Sequence, residues 1–126
     1  TYLAAEGVEI VKNIIDSNQV NRDPFEMNTG TGDGTAWYRV DYLSDDLSDI
    51  DDGTVPLAFD DASRTYGYGP GDDTPFSRRV NAIYDLDDGG EIYRIEVNSE
   101  VSWRSRGGLD RMVRLRDYFY WWWRTF

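Results

Sequence analysis

The side chains in this sequence that are best suited to chemistry are carboxylates gathered in two loops. Of the 126 residues 24 are Asp or Glu, whereas His and Cys are absent. Closely spaced carboxylates repel one another, and a hard cation such as Ca²⁺, which prefers oxygen ligands, relieves that repulsion. The sequence therefore offers two candidate Ca²⁺ sites, one formed by Asp45, Asp46, Asp49, Asp51 and Asp52 and the other by Asp85, Asp87 and Asp88.

The second of these loops has the residue spacing of an EF-hand between Asp85 and Glu96. An EF-hand needs a helix on each side, but residues 91–104 alternate as a strand does. Along an extended chain Glu96 would lie about 16–20 Å from Gly90, too far to close a cage around the ion. We expect a solvated hairpin tip here, or a looser Ca²⁺ site on the turn.

Catalysis by these carboxylates is not expected. Glycoside hydrolases use two carboxylates, one of them with a pKa raised by an apolar pocket, whereas the acids here lie mostly in loops. The absence of His and Cys removes the commonest general base and the thiol nucleophile. The glycine-rich stretch at 28–35 lacks the Gly-Lys-Ser/Thr of a phosphate-binding loop. A small hydrolase is kept as a hypothesis that would need a concave pocket with converging carboxylates.

The charge of the chain is negative overall and unevenly distributed. The formal net charge is −11, with 16 acids and 4 bases in residues 1–75 but 8 acids and 9 bases in residues 76–126. The acidic excess argues against a nucleic-acid partner, because phosphates need a basic surface. Two halves of opposite sign suit head-to-tail contact between identical subunits. The sequence contains no run of about 20 apolar residues, so it predicts no membrane span within these 126 residues.

The element that must support these loops is a helix predicted over residues 1–18. At 100° per residue its apolar side chains share one face. The residues expected to pack against a sheet are Leu3, Gly7, Val8, Val11, Ile14 and Ile15. Gly7 costs roughly 1 kcal/mol against Ala within a helix, so its place on this face predicts a close approach of the helix to the sheet.

The rest of the chain, residues 36–126, is predicted to be β. Strands are expected at 36–43, at 55–59 with Pro56 on an edge, at 64–68 pairing back, at 76–84, at 91–104 and at 109–118. In the fourth of these, Arg78 shares a face with Phe76, Val80, Ala82 and Tyr84. The predicted fold class is α+β, a single domain over 1–126 with one amphipathic helix on one antiparallel sheet of about four to six strands.

The aromatic end of the chain is the least usual feature of the sequence. Trp121, Trp122 and Trp123 cannot all face one side of a strand, so at least one must lie against something other than the core of its own sheet. Three interpretations stay open: packing against the helix flank or a loop, a subunit contact that includes Arg124, and stacking of a ligand such as a sugar.

Several segments resemble type IV pilin-like proteins and pseudopilins, in the order in which that family carries them. YLAAEGVEIVKNIIDSN (2–18) resembles the second half of the family's long N-terminal helix, with its Glu-Gly pair and its closing Asp-Ser-Asn. TPFSRRV (74–80) is similar to a Thr-Pro-Phe-x-Arg strand, and VNSEVSWRSRGG (97–108) with MVRL (112–115) is similar to a Trp-containing hairpin and its return strand. Of YWWWRTF (120–126), only Trp123-Arg124 fits the family's usual ending.

The resemblance implies a filament subunit whose helix continues upstream of Thr1 as a membrane-spanning segment. Related subunits would be its partners, and the location would be a cell-surface filament or a periplasmic pseudopilus anchored in the inner membrane. No cofactor is implied, apart from Ca²⁺ in an acidic loop, as several pseudopilin-like proteins bind it. The alternative is a secreted or cell-surface binding module that uses the aromatic C-terminus or the acidic loops for a ligand.

Overall fold

One helix and five antiparallel strands make up the part of the chain that the computed structural model describes, namely residues 2–21, 36–44, 47, 55–69, 71–90, 92–105 and 107–120. The elements are α1 (Tyr2–Asn21), β1 (Pro56–Asp60), β2 (Thr65–Gly67), β3 (Asp72–Leu86), β4 (Ile92–Arg104) and β5 (Asp110–Tyr120). The strands form a single sheet in the order β2-β1-β3-β4-β5. The predicted α+β architecture, a helix on one antiparallel sheet, is confirmed.

Helix α1 lies across β3, β4 and β5 and buries its apolar face there. An isolated helix of this length is marginal in water, so packing against the sheet supplies most of its stability. Of the six packing residues predicted, Leu3, Gly7, Val11, Ile14 and Ile15 are buried, and Val8 is partly buried against the same core. The prediction of a buried helix face is confirmed.

The closest approach of α1 to the sheet is at Gly7. A β-carbon at this position would overlap the Ser99 hydroxyl oxygen on β4 and would lie 3.1 Å from Cδ of Arg78 on β3. A larger residue would therefore force the helix away from the sheet, as the sequence predicted for this glycine. The helix extends to Asn21, three residues beyond the predicted end at Asn18.

The strand predicted at 36–43 is wrong as a regular strand. Tyr38 forms an isolated bridge to Val80 on β3, with two backbone hydrogen bonds of 2.8 Å. The chain then turns at residues 42–43, where Oδ1 of Asp41 accepts a hydrogen bond from the backbone N–H of Leu43 at 3.0 Å. Asp side chains that bond to nearby backbone in this way favour a turn over a ladder.

The edge position predicted for the strand of Pro56 is also wrong, because β1 lies between β2 and β3. Strand β2 is only three residues long and pairs with Ala58, Phe59 and Asp60 alone. Pro56 therefore pairs with Ser77 on one side and lies beyond the end of β2 on the other. A residue without an N–H is tolerated at such a place, since no strand lies beside it on the β2 side.

The β3–β4 and β4–β5 pairs are the most extensive part of the sheet and match the sequence best. Ile95, Val97, Ser99 and Val101 face the helix, as the alternation predicted. The predicted turn at 85–90 joins β3 to β4, and β5 returns along β4 over its whole length. Strand β3 begins at Asp72, earlier than predicted, because its first residues pair with the end of β1.

Candidate interaction surface

A buried arginine on β3 contacts both α1 and the segment 36–44, which bridges to β3 through Tyr38, on the helix side of the sheet. Arg78 is 0% exposed. Its Nη1 donates to the Glu6 carboxylate at 2.7 Å and to the backbone carbonyl of Leu3 at 3.1 Å, while Nη2 donates to the carbonyl of Val40 at 2.6 Å. These bonds cross between three segments that are far apart in sequence, so Arg78 fixes where the helix lies on the sheet.

A buried glutamate on β4 lies on the opposite face of the β3–β4 pair, away from the helix. Glu100 is 3% exposed. Its Oε1 accepts a hydrogen bond from Arg79 on β3 at 2.8 Å, and its Oε2 pairs with Arg114 on β5. Trp37 lies against both arginines, with Cζ of Arg79 4.0 Å and Cζ of Arg114 5.7 Å from the centre of its ring. One carboxylate thus holds two guanidinium groups, and an aromatic ring stacks on them.

The next row along this face is a hydrogen-bonded polar ladder across three strands. Asn98 donates from Nδ2 to Asn81 at 3.0 Å and to Glu96 at 2.9 Å. Its Oδ1 accepts from Nε of Arg116 at 3.1 Å. Both Asn98 and Asn81 are buried. The ladder provides hydrogen bonds for these buried amides, and Nε of Arg116 also lies 3.8 Å from the Glu96 carboxylate.

The far end of the same face is aromatic. Nε of Arg94 donates to Asp85 at 2.7 Å, and Cζ lies 4.6 Å from the centre of the Tyr118 ring. The hydrogen bond to Asp85 raises the pKa of the Arg94 guanidinium above its ordinary value. Tyr118 and Tyr120 on β5 are exposed. Arg and Tyr are the residue types that interface cores favour, so this end of the sheet has the composition of a contact surface.

An open groove of about 450 Å³ lies on this face where β4 ends and β5 begins. Ser77 and Ser102, which are paired neighbours on β3 and β4, line it together with Met112 of β5. Arg104 and Asp110 form its rim and approach each other to 3.5 Å. The small-hydrolase hypothesis requires a pocket lined by converging carboxylates. Asp110 is the one carboxylate among the described residues that line this groove.

The predicted Ca²⁺ sites are placed as follows. Asp85 is paired with Arg94, and Asp87 accepts a hydrogen bond at 2.9 Å from the backbone N–H of Gly89 in its own turn. Across the described residues, no three Asp or Glu side chains come together around one point where a metal ion could bind. The geometry therefore gives Asp85, Asp87 and Asp88 no three-carboxylate site.

The other predicted site residues lie outside the residues that the structure describes. They are the acidic loop set Asp45, Asp46, Asp49, Asp51 and Asp52 and the aromatic set Trp121, Trp122, Trp123 and Arg124. Calcium binding by the first set and a subunit contact by the second stay predictions.

Sequence reasoning missed the polar residues that are buried on the face away from the helix. Strand alternation places Asn98 and Glu100 towards solvent, yet both are buried. A usable signal was present in the sequence, because alternation places charged residues of both signs on this face of the three longest strands. Their register brings Arg79, Glu100 and Arg114 into one row.

Comparisons with known proteins add no relative from which a role could be transferred. No family model, curated protein or solved structure matches this chain. Within the described residues, no helix has both the length and the hydropathy that crossing a bilayer requires.

Proposed function

We propose that this protein is a structural subunit of a filament related to type IV pili or to type II secretion pseudopili, and that it acts by self-assembly. The observation that carries the proposal is an N-terminal amphipathic helix lying on a single antiparallel sheet, with the helix–sheet contact beginning in the first turn. Leu3 and Ala4 are buried there against Leu57 and Val101. The pilin-like resemblance of the same helix and of β3, β4 and β5 supports it.

In this proposal α1 continues upstream of Thr1 into an apolar half. That half would hold the subunit in the membrane and would then bundle with the helices of its neighbours as the filament core. The sheet would form the outside of the filament. Arg78 would stop the sheet from sliding along the helix under load, because its bonds to Glu6 and to the Leu3 carbonyl connect the first turns of the helix to the middle of β3.

A binding module on the cell surface is the second candidate, and the face of the sheet away from the helix favours it. Trp37 stacked on Arg79, together with the exposed rings of Tyr118 and Tyr120, offers flat aromatic and cationic groups to a ligand. Such a module would use the same surface without forming a filament.

The sequence of the gene upstream of the codon for Thr1 separates the two candidates. The filament proposal expects a leader that ends in Gly, followed by Phe-Thr-Leu-x-Glu and an apolar run of about 20 residues. A cleavable secretory signal that joins directly to this domain would overturn it and favour the binding module.

A second test uses native cells. Antibodies raised against the 126-residue chain should decorate thin surface filaments in electron micrographs, or should label a periplasmic assembly in cells with the outer membrane removed. If the antibodies label only dispersed subunits, with no filament on the surface and no assembly in the periplasm, the filament proposal is contradicted.

A further inference from the structure

Strand β5 forms a basic edge to the sheet. Among the described residues it pairs with β4 alone, and most of its side chains are exposed. The basic edge is defined here by Arg111, Arg114 and Arg116 of β5 together with Arg104 at the end of β4. Two acids accompany them: Asp110, which faces Arg104, and Asp117, which accepts a hydrogen bond from the backbone N–H of Tyr118 at 2.8 Å. This edge therefore exposes four guanidinium groups against two carboxylates. Arg114 and Arg116 also contact Glu100 and Glu96, which are much less exposed than the arginines, and Arg111 makes no ion pair with any described residue.

The opposite side of the sheet has an acidic corner, defined by Asp60, Asp61, Asp72 and Asp73. Asp60 ends β1 and Asp61 begins the turn to β2, whereas Asp72 and Asp73 begin β3. Asp72 and Asp73 pair with Phe59 and Ala58 of β1, so the four carboxylates lie at one end of two adjacent strands. Arg64 is the one cation in the turn beside them.

The acidic corner is not neutralised within the described part of the molecule. None of the ion pairs there includes any of the four aspartates, and these residues do not form a metal-binding group. One sheet thus exposes, on different sides, a negative corner without ion pairs and an edge whose exposed charges are mostly positive. A second copy of the chain supplies to each of them a surface of opposite sign.

The basic edge disfavours pairing with itself. If two β5 strands paired antiparallel near their centres with matching faces, Arg114 or Arg116 would lie directly opposite Arg114 or Arg116 of the other copy. Like charges directly opposite in a sheet are destabilising, and charged side chains on an edge are a known protection against such pairing. A symmetric dimer through β5 is therefore unfavourable, whereas a head-to-tail contact is not.

We propose that the basic edge of one copy docks on the acidic corner of the next copy, which makes a heterologous contact that repeats along a filament. This inference rests on the proposed function and specifies the outer contact of the same filament. Because the two surfaces lie on different sides of the sheet, the contact does not close on itself in a pair and leaves a free edge and a free corner at the two ends. Heterologous contacts of this kind form open chains unless the rotation happens to close a ring.

Analytical ultracentrifugation of the 126-residue chain tests this contact at low salt. The mass should rise with concentration past the dimer, and should fall when salt shortens the screening length to about 8 Å at 0.15 M. A wild-type chain that stays monomeric over the whole concentration range, or that stops at a dimer, would overturn the proposal.

Two neutralising variants locate the surfaces. The edge variant Arg111→Gln/Arg116→Gln and the corner variant Asp61→Asn/Asp72→Asn should each lower the association constant about tenfold or more. A mixture of the two should form a 1:1 heterodimer and no longer species, because each partner keeps one working surface. A corner variant that associates as the wild type does, or a mixture that stays monomeric, would contradict the proposal.

Matched controls carry the same change in net charge elsewhere on the molecule. Lys12→Gln/Arg64→Gln removes two cations away from the basic edge, and Asp16→Asn/Asp88→Asn removes two acids away from the acidic corner. Both should associate at least as strongly as the wild type. Equal weakening by the controls would show a net-charge effect and would overturn the assignment of the two surfaces. Thermal melts of all four variants should show an intact fold.

The outcomes keep this contact separate from the proposed function. If the native protein is found in filaments but the edge and corner variants still associate, the contact is wrong and the filament role stands. If no filament or apolar extension exists but the mixture forms the heterodimer, the contact stands and the pilin-like role is wrong.

Discussion

The two faces of the β3–β4 pair each bury one charge, but they compensate it differently. On the helix side Arg78 is fully buried and its counter-ion is the single carboxylate of Glu6. On the other side Glu100 is buried between two arginines, Arg79 and Arg114, that are partly exposed. The buried cation therefore has a single charged partner, whereas the buried anion has two partners that water also reaches.

This difference bears on how the register of the sheet is specified. Arg78 and Arg79 are adjacent on β3, so a slip by one residue would turn each of them to the wrong face. A slip that brings Arg78 beside Glu100 would place Arg79 under the helix in the position of Val80, without Glu6. A slip in the other direction would leave Glu100 opposite Val80 instead of Arg79. Because an unpaired buried charge costs several kcal/mol, the two ion pairs together oppose the slip.

The largest loss of stability is expected when a charge without a counter-ion is placed on the buried face of α1. Val11→Asp places a carboxylate at a fully buried position of α1 that has no cation beside it, and the desolvation cost of several kcal/mol is comparable to the stability of a whole domain. We expect loss of the cooperative thermal transition in circular dichroism. Asn13→Asp adds the same charge on the exposed face and should melt as the wild type does; unchanged melting of Val11→Asp would show that the helix face is not buried.

The next effect compares the two buried charges directly. Glu6→Gln leaves the Arg78 guanidinium buried without a counter-charge, and we expect a loss of about 3 kcal/mol of unfolding free energy, at the low end for a broken buried pair because Glu6 is 23% exposed. Glu100→Gln leaves arginines that water can solvate, and we expect about 1–2 kcal/mol. Urea denaturation measures both values, and a larger loss for Glu100→Gln would reverse the comparison.

A smaller effect probes the close approach of helix and sheet. Gly7→Ala gains about 1 kcal/mol of helix propensity but forces its methyl group into the Ser99 hydroxyl, an overpacking that costs about 1–3 kcal/mol. We expect a net loss of about 1 kcal/mol. The Ser99 hydroxyl is buried without a hydrogen-bond partner among the described residues, so Ser99→Ala should be neutral or stabilising.

The double variant Gly7→Ala/Ser99→Ala sharpens this test. With the hydroxyl removed, the nearest remaining atoms are at 3.1 and 3.3 Å from the added carbon, and most of the strain should disappear. A double-mutant cycle in urea should therefore give a favourable coupling of about 1 kcal/mol. Strict additivity of the two changes would show that Ser99 is not what limits residue 7.

The smallest effect is expected at the exposed end of the far face. Asp85→Asn removes the partner of Arg94 in a pair that solvent reaches, and pairs of this kind contribute about 0–1 kcal/mol. We expect a loss below about 1 kcal/mol in the same urea measurement, and a still smaller loss at high salt, which screens the pair in the wild type as well. A loss as large as that of Glu6→Gln would mean that this end of the sheet is covered.

Sequence patterns predicted the elements whose faces differ in polarity and failed where a distant contact decides. The apolar stripe of α1 and the alternation of β4 are local, so both were predicted correctly. The bridge of Tyr38 to Val80 and the place of β1 inside the sheet depend on which strand comes alongside, and no local period encodes that. Glu100 is buried because side chains from β3, β5 and Trp37 cover it, which alternation along β4 cannot show.

The packing of α1 on β4 also has a consequence for synthesis on the ribosome. The helix leaves the exit tunnel well before the sheet, and β4, the central strand of the surface that α1 covers, begins at Ile92, roughly 70 residues after the helix ends. At about 5–20 residues per second, its apolar face waits about 4–14 s for a partner, a window in which a chaperone or a lipid surface can hold it. Nascent chains stalled on a long C-terminal linker should expose α1 to protease until β4 has emerged, and protection before that point would refute this delay.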